Sequence, residues 1–251
     1  MLRFFRQIRK TLMKQNKIRS YVLYAVGEIL LVVIGILFAL QINNWNEESK
    51  LIKQEQVIFK SLSSEVSSNK AIIYDCLEAL NRRKSTADTL QTYVGPKYAG
   101  LEKKRLNYLI GVTGSTTRCR IESDVMDELR SSGNLNVIRS NELRKSISRW
   151  STSIEELKKE EDARERQFTD QYLMYTHKWV SWDDVDFQVP LRDSTYLPSK
   201  FEYDANKMLQ QFEYANHLNN YVWRVSRVQS RLRTVNDELS TMDSLLTKQI
   251  N

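Results

Sequence analysis

The stretch from Tyr21 to Glu47, YVLYAVGEILLVVIGILFALQINNWNE, limits what this chain can become more than any other. Between Tyr21 and Ile42 the one side chain charged at neutral pH is Glu28. About 20 mostly apolar residues, rising ~1.5 Å each, are what a hydrocarbon layer ~30 Å thick requires of a spanning helix. The core helix of a water-soluble protein is the competing reading. Such a helix is usually shorter and one-sided, whereas Leu30, Leu31, Val32, Val33, Ile34, Ile36, Leu37 and Phe38 cover the whole circumference. Residues 21–45 are therefore predicted to form a transmembrane helix. Tyr21 and Tyr24 at one end and Trp45 at the other fall where amphipathic aromatics settle among lipid headgroups.

The flanks set the expected orientation. Arg3, Arg6, Arg9, Lys10, Lys14, Lys17 and Arg19 precede the run with no acid among them, and the chain from Tyr21 onward is close to charge-balanced despite a net charge of +7 overall. Lys and Arg collect on the cytoplasmic side of a span, which predicts a cytoplasmic N-terminus and a periplasmic C-terminal part in the inner membrane. Phe5, Ile8, Leu12 and Met13 recur at helical spacing, so residues 1–20 are expected to form an interfacial helix whose basic residues lie on the membrane surface. A nucleic-acid-binding arm is the other meaning of such a run, but the span follows at once and no nucleic-acid partner is expected. A cleaved signal peptide would have a shorter apolar core, and Ala39-Leu40-Gln41-Ile42 lacks small residues at both cleavage-determining positions.

Beyond the span, only 7 Gly and 3 Pro in 251 residues suit long helices, so the fold class is expected to be all-α, with residues 46–251 as one helical-bundle domain. No Gly or Pro separates Asn43-Asn44-Trp45 from a helix carrying Ile58, Leu62, Val66, Ile73, Leu77 and Leu80 on one side, so the membrane helix is expected to continue into the bundle. A helix over 102–112, a loop over 111–117, a helix over 122–132 closed by Gly133, and a long helix capped by Ser140 follow. That helix carries Leu143, Ile147, Trp150, Ile154 and Leu157, weakens at Glu161 and Arg164, and resumes with Phe168, Tyr172, Tyr175 and Trp179. The charged interruption predicts a wet layer or local exposure. The strongest seam is Val225, Val228, Leu232, Val235, Leu239, Met242 and Leu246. Three long helices with such stripes predict an elongated antiparallel bundle, closed within one chain or between chains.

The residues that would carry chemistry are missing from this pattern. His177 and His217 stand alone, without a metal-ligand spacing, and no nucleophile elbow or dinucleotide fingerprint occurs, so neither a cofactor nor an enzyme is expected. The glycines of 111–117 lack the Lys-Ser/Thr of a phosphate loop, and Asp183, Asp184 and Asp186 lack the Gly and Glu of a calcium loop, so the latter are read as a solvated acidic turn. Cys76 and Cys119 are free to pair in an oxidising compartment, or Cys76 packs as a small hydrophobe. The one position that is energetically expensive is Glu28. With Val32, Gly35, Ala39 and Asn43 it shares a helix face on which Gly35-x-x-x-Ala39 lets a second backbone approach, making this the candidate helix-contact face.

Tyr24-Ala25-Val26-Gly27-Glu28-Ile29, Val32-Val33-Ile34-Gly35-Ile36-Leu37 and Ala39-Leu40-Gln41-Ile42-Asn43-Asn44-Trp45-Asn46-Glu47 together resemble a family of small single-span membrane proteins of Bacteroidota that is known only as a domain of unknown function. Phe4-Phe5-Arg6-Gln7-Ile8-Arg9 and Glu128-Leu129-Arg130-Ser131-Ser132-Gly133-Asn134-Leu135 match its pattern as well. The resemblance implies an inner-membrane protein and no activity. The expected role is a membrane-anchored, self-associating periplasmic scaffold or interaction protein, in contact with the bilayer and with a second copy or another membrane protein. A proton-coupled accessory subunit using Glu28, or a periplasmic ligand sensor, are the alternatives.

Overall fold

The computed structural model describes residues 18–98, 100–114, 118–188 and 197–250, and among these there is helix, turn and loop but no strand. The fold is all-α. The expected interfacial helix over 1–20, with Arg3, Arg6, Arg9, Lys10, Lys14 and Lys17, lies outside the described residues except for its end; Arg19 is described and exposed. The chain divides into two units, Met1–Val57 and Ile58–Asn251.

Helix α1 runs unbroken from Ile18 to Gln91 over 74 residues, as the absence of proline and of any glycine after Gly35 allows. In the first unit its side chains from Ile29 to Ile42 are all exposed, including Leu31 at 66% and Phe38 at 65%. This is one helix, near the N-terminus, long and apolar enough to cross a membrane.

The second unit holds the rest of α1 together with α2 (Lys103–Thr113), α3 (Asp124–Ser131), α4 (Asn141–Gln167), α5 (Met174–Thr176), α6 (Trp182–Gln188), α7 (Asn206–Leu209) and α8 (Phe212–Ile250). Helix directions follow from which residues meet. Arg149 pairs with Glu238, Glu156 with Arg231 and Glu160 with Arg227, so α4 and α8 are antiparallel. Lys70 reaches Asp243 at 2.6 Å and the Gln229 amide donates to Asn81 at 2.7 Å, so α8 is antiparallel to α1 as well. α1 and α4 are therefore parallel, and the short helices α2 and α3 lie in the return connection between them.

The core is the set of stripes read from the sequence. Val225, Val228, Leu232, Val235, Leu239, Met242 and Leu246 on α8 are at most 1% exposed, and they meet Leu143, Ile147, Trp150, Ile154 and Leu157 of α4 and Leu62, Val66, Ile73 and Leu80 of α1 in one cluster. Each such side chain contributes roughly 1.5–3 kcal/mol by leaving water. The seam closes within one chain.

Local signals worked where their chemistry is local. The Ser140 side chain accepts a hydrogen bond from the Leu143 amide at 3.2 Å and starts α4. Gly133 has φ 75°, the left-handed turn after α3 that favours glycine.

Elsewhere the structure differs from the reading. Gly111 and Val112 are helical, because α2 continues to Thr113 and stops only at Gly114. There a Cβ would clash with the Trp182 ring. Residues 115–117 of the expected loop, and 189–196 of the long connection, lie outside the described residues. The acidic run is the first turn of α6, with Asp183 and Asp184 placed where carboxylates meet the positive helix end. Asp184 is not solvated. It is buried, accepting hydrogen bonds from the Ser199 amide and the Tyr203 hydroxyl at 2.8 Å each and pairing with Lys103 at 2.9 Å.

Candidate functional site

Glu28, Val32, Gly35, Ala39 and Asn43 are separated by four, three, four and four residues on an unbroken α1, which sets them along one side of it. Tyr24, Ala25 and Glu28 are half-buried; Val32, Gly35, Ala39 and Asn43 are exposed. A Cβ built on Gly35 meets nothing described within 4 Å, so its backbone lies open to whatever approaches. Ala39 and Asn43 continue into a shallow furrow with Ile42, Trp45, Asn46 and Ser49. Its polar members prolong the stripe past the apolar run.

In the second unit, the chain from Arg118 to Val125 is fastened along one face of α1. Cys119 is disulfide-bonded to Cys76, which decides the pairing that the sequence left open. Asn69, fully buried, donates from Nδ2 to the Glu122 carbonyl and accepts from the Glu122 amide, both at 2.8 Å. Glu65 accepts from the Val125 amide at 2.7 Å at the start of α3. Burial raises the Glu65 carboxyl pKa, and the Val125 and Met126 amides offset part of that rise. Glu65 and Asn69 were missed as positioning residues. A signal existed: Asn69 falls on the Leu62, Val66, Ile73 stripe, where a polar side chain has to find a partner.

The charged interruption in α4 is neither wet nor exposed. Glu161 is 3% and Arg164 2% exposed. The Cys119 amide donates to Glu161 Oε1 at 2.9 Å, tying the layer to the disulfide segment. Burial raises the Glu161 pKa and lowers that of Arg164, while each carboxylate–guanidinium attraction acts the other way. At the surface above it, Arg118 pairs with Asp162 at 2.7 Å and with Glu165.

Just beyond this layer α4 widens into a π-helical turn, Phe168–Leu173, before α-helix resumes at Met174. The turn carries Tyr172 into the core, where its hydroxyl shares hydrogen bonds with Thr113 at 3.0 Å and Tyr214 at 3.3 Å. Burial raises the pKa of Tyr172 and of Tyr214, which keeps both neutral. Such turns are uncommon inside α-helices and recur at functional places.

These observations define an all-α protein in which a helix capable of crossing a membrane enters a self-contained bundle. Residues 28–98 are similar to a family of unknown function (DUF6090). The match covers less than half of the chain, from Glu28 through the disulfide partner Cys76 to Tyr98, and points to an uncharacterised domain family. Neither the curated proteins nor the solved structures contain a match to the chain.

Proposed function

We propose that this protein is a membrane-anchored helical-bundle scaffold, without catalytic activity of its own, that crosses the inner membrane once and self-associates through the Glu28, Val32, Gly35, Ala39 and Asn43 face. One observation carries the reading. The bundle buries its seams within its own chain, whereas the apolar circumference from Ile29 to Ile42 is left uncovered. An uncovered helix of that length and composition belongs in hydrocarbon, where all of its backbone groups are satisfied within the helix.

Two features support a cytoplasmic N-terminus and a periplasmic bundle. The basic residues Arg3 to Arg19 precede the span, and the Cys76–Cys119 disulfide of the second unit suits an oxidising compartment. The self-association reading rests on the stripe itself. Gly35 and Ala39 permit close backbone approach, and Glu28 and Asn43 supply hydrogen-bonding groups at the two ends of the contact. The partners are then the bilayer and a second copy, with no nucleic acid and no cofactor.

The test is disulfide crosslinking in native membranes with Gly35→Cys or Ala39→Cys. The native cysteines are already bonded to each other, so the introduced thiol is the reactive one. Dimers or larger species should be trapped at these positions and not from Leu37→Cys on another face. Persistent monomers from all three variants would end the self-association reading.

A further inference from the structure

A groove of about 390 Å³ lies where α4 and the π-turn meet α8, on a flank of the bundle that the scaffold role does not use. That volume sits toward the lower end of the range of about 300–1,000 Å³ that small-molecule sites span. The groove is polar, and its charges are uneven. Arg166, exposed on the last turn of α4, makes no ion pair among the described residues. Arg224 lies 4.7 Å from the Trp223 ring and 3.9 Å from Glu160. Glu160 is already engaged by Arg227, whose Nε donates to it at 3.2 Å, and this bond holds the Glu160 pKa below its usual range. Two guanidinium groups thus border the groove against the single carboxylate of Asp170.

The neutral groups complete the pattern. Gln171 and Asn220 present exposed amides from opposite walls, and Trp223, half exposed, adds one flat apolar flank. Gln167 lies at the groove floor, 7% exposed, and neither atom of its amide has a hydrogen-bond partner among the described residues. A buried amide with both functions unmet is uncommon, and here it sits directly beside the π-turn.

From this combination we infer that the groove between the π-turn and α8 binds a small monoanionic carboxylate that also carries neutral hydrogen-bonding groups. The guanidinium fork matches a carboxylate in two-point geometry. Asp170 opposes a second negative charge on the ligand and accepts from its hydroxyl or amide donors. Sugar acids and N-acyl amino acids share this chemistry.

The experiment uses the full chain in detergent micelles, with glucuronate and N-acetylalanine as probes, methyl glucoside and N-acetylalanine amide as their neutral counterparts, and saturation-transfer NMR as readout. At least one carboxylate should bind saturably at millimolar concentration, and its neutral counterpart about tenfold or more weakly; which arm responds tells a sugar acid from an acylated amino acid. Arg166→Gln and Trp223→Ala should each weaken that binding by about tenfold or more, whereas Arg149→Gln, on an exposed arginine paired with Glu238 away from the groove, should leave it unchanged. Arg166 is exposed and outside the core, so its loss leaves folding intact. No saturable binding of either carboxylate, equal binding of charged and neutral probes, or equal binding by Arg166→Gln and Arg149→Gln would overturn the inference.

Discussion

Replacing Cys119 with serine opens the cross-link between α1 and the segment that leads into α3. The bonded cysteines are 43 residues apart, and closing a loop of that length removes denatured-state entropy equivalent to about 4 kcal/mol at 25 °C in the chain-entropy model. The native side changes little. Cys119 is only partly buried, and Asn69 and Glu65 still hold the segment through Glu122 and Val125. Urea unfolding of the detergent-solubilised chain, followed by tryptophan fluorescence, should show a loss of about 2–4 kcal/mol without a change of fold. Reductant should reproduce the loss in the wild type and add nothing to Cys119→Ser. A loss below about 1 kcal/mol, or a wild type insensitive to reductant under unfolding conditions, would refute the account of this segment.

Three further outcomes follow from the same unit. Asn69→Ala removes both hydrogen bonds that a fully buried side chain makes to the Glu122 backbone and should cost about 1–3 kcal/mol in the same unfolding assay; a change under about 0.5 kcal/mol would contradict the two-point clasp. The Glu65 pKa is raised in the folded state above its ordinary 4.5, so the native state holds the proton more tightly than the unfolded chain does. Stability from this group is then fully present below pH 4.5 and is lost as pH rises through the raised value, and Glu65→Gln, which keeps an acceptor for the Val125 amide, should flatten that part of the stability–pH profile; an unchanged profile would contradict it. Gly133→Ala meets no steric obstacle but must hold φ 75°, so it should cost about 1 kcal/mol in thermal unfolding, and a neutral result would contradict the left-handed turn.

How much of this was legible in the chain depended on distance along it. The α8 seam and the continuity of α1 were visible because helical periodicity and the absence of breakers act over a few residues. Ser140 and Gly133 were visible for the same reason. Asp184 was misread as solvated because its partners, Lys103, Ser199 and Tyr203, come from remote positions that only the packed bundle brings together. The Cys76–Cys119 pairing stayed open on the same ground. Glu161 and Arg164 looked like a break in an apolar stripe; in the packed bundle both are buried, with Glu161 accepting a hydrogen bond from the Cys119 amide. The π-turn left no mark in residue types, since one extra residue per turn alters the register and not the composition. The stripe of Glu28, Val32, Gly35, Ala39 and Asn43 on α1 needed only spacing, which the unbroken helix preserves.

The central claim is a single span with the bundle on the periplasmic side. Impermeant maleimide labelling of intact spheroplasts tests it most directly, with Gln7→Cys ahead of the apolar run and Lys248→Cys at an exposed position near the end of α8. The account predicts that Lys248→Cys is labelled in intact spheroplasts, that Gln7→Cys is labelled only after permeabilisation, and that both proteins stay in the membrane pellet through carbonate washing. Reversed labelling, or release of the protein by carbonate, would contradict it.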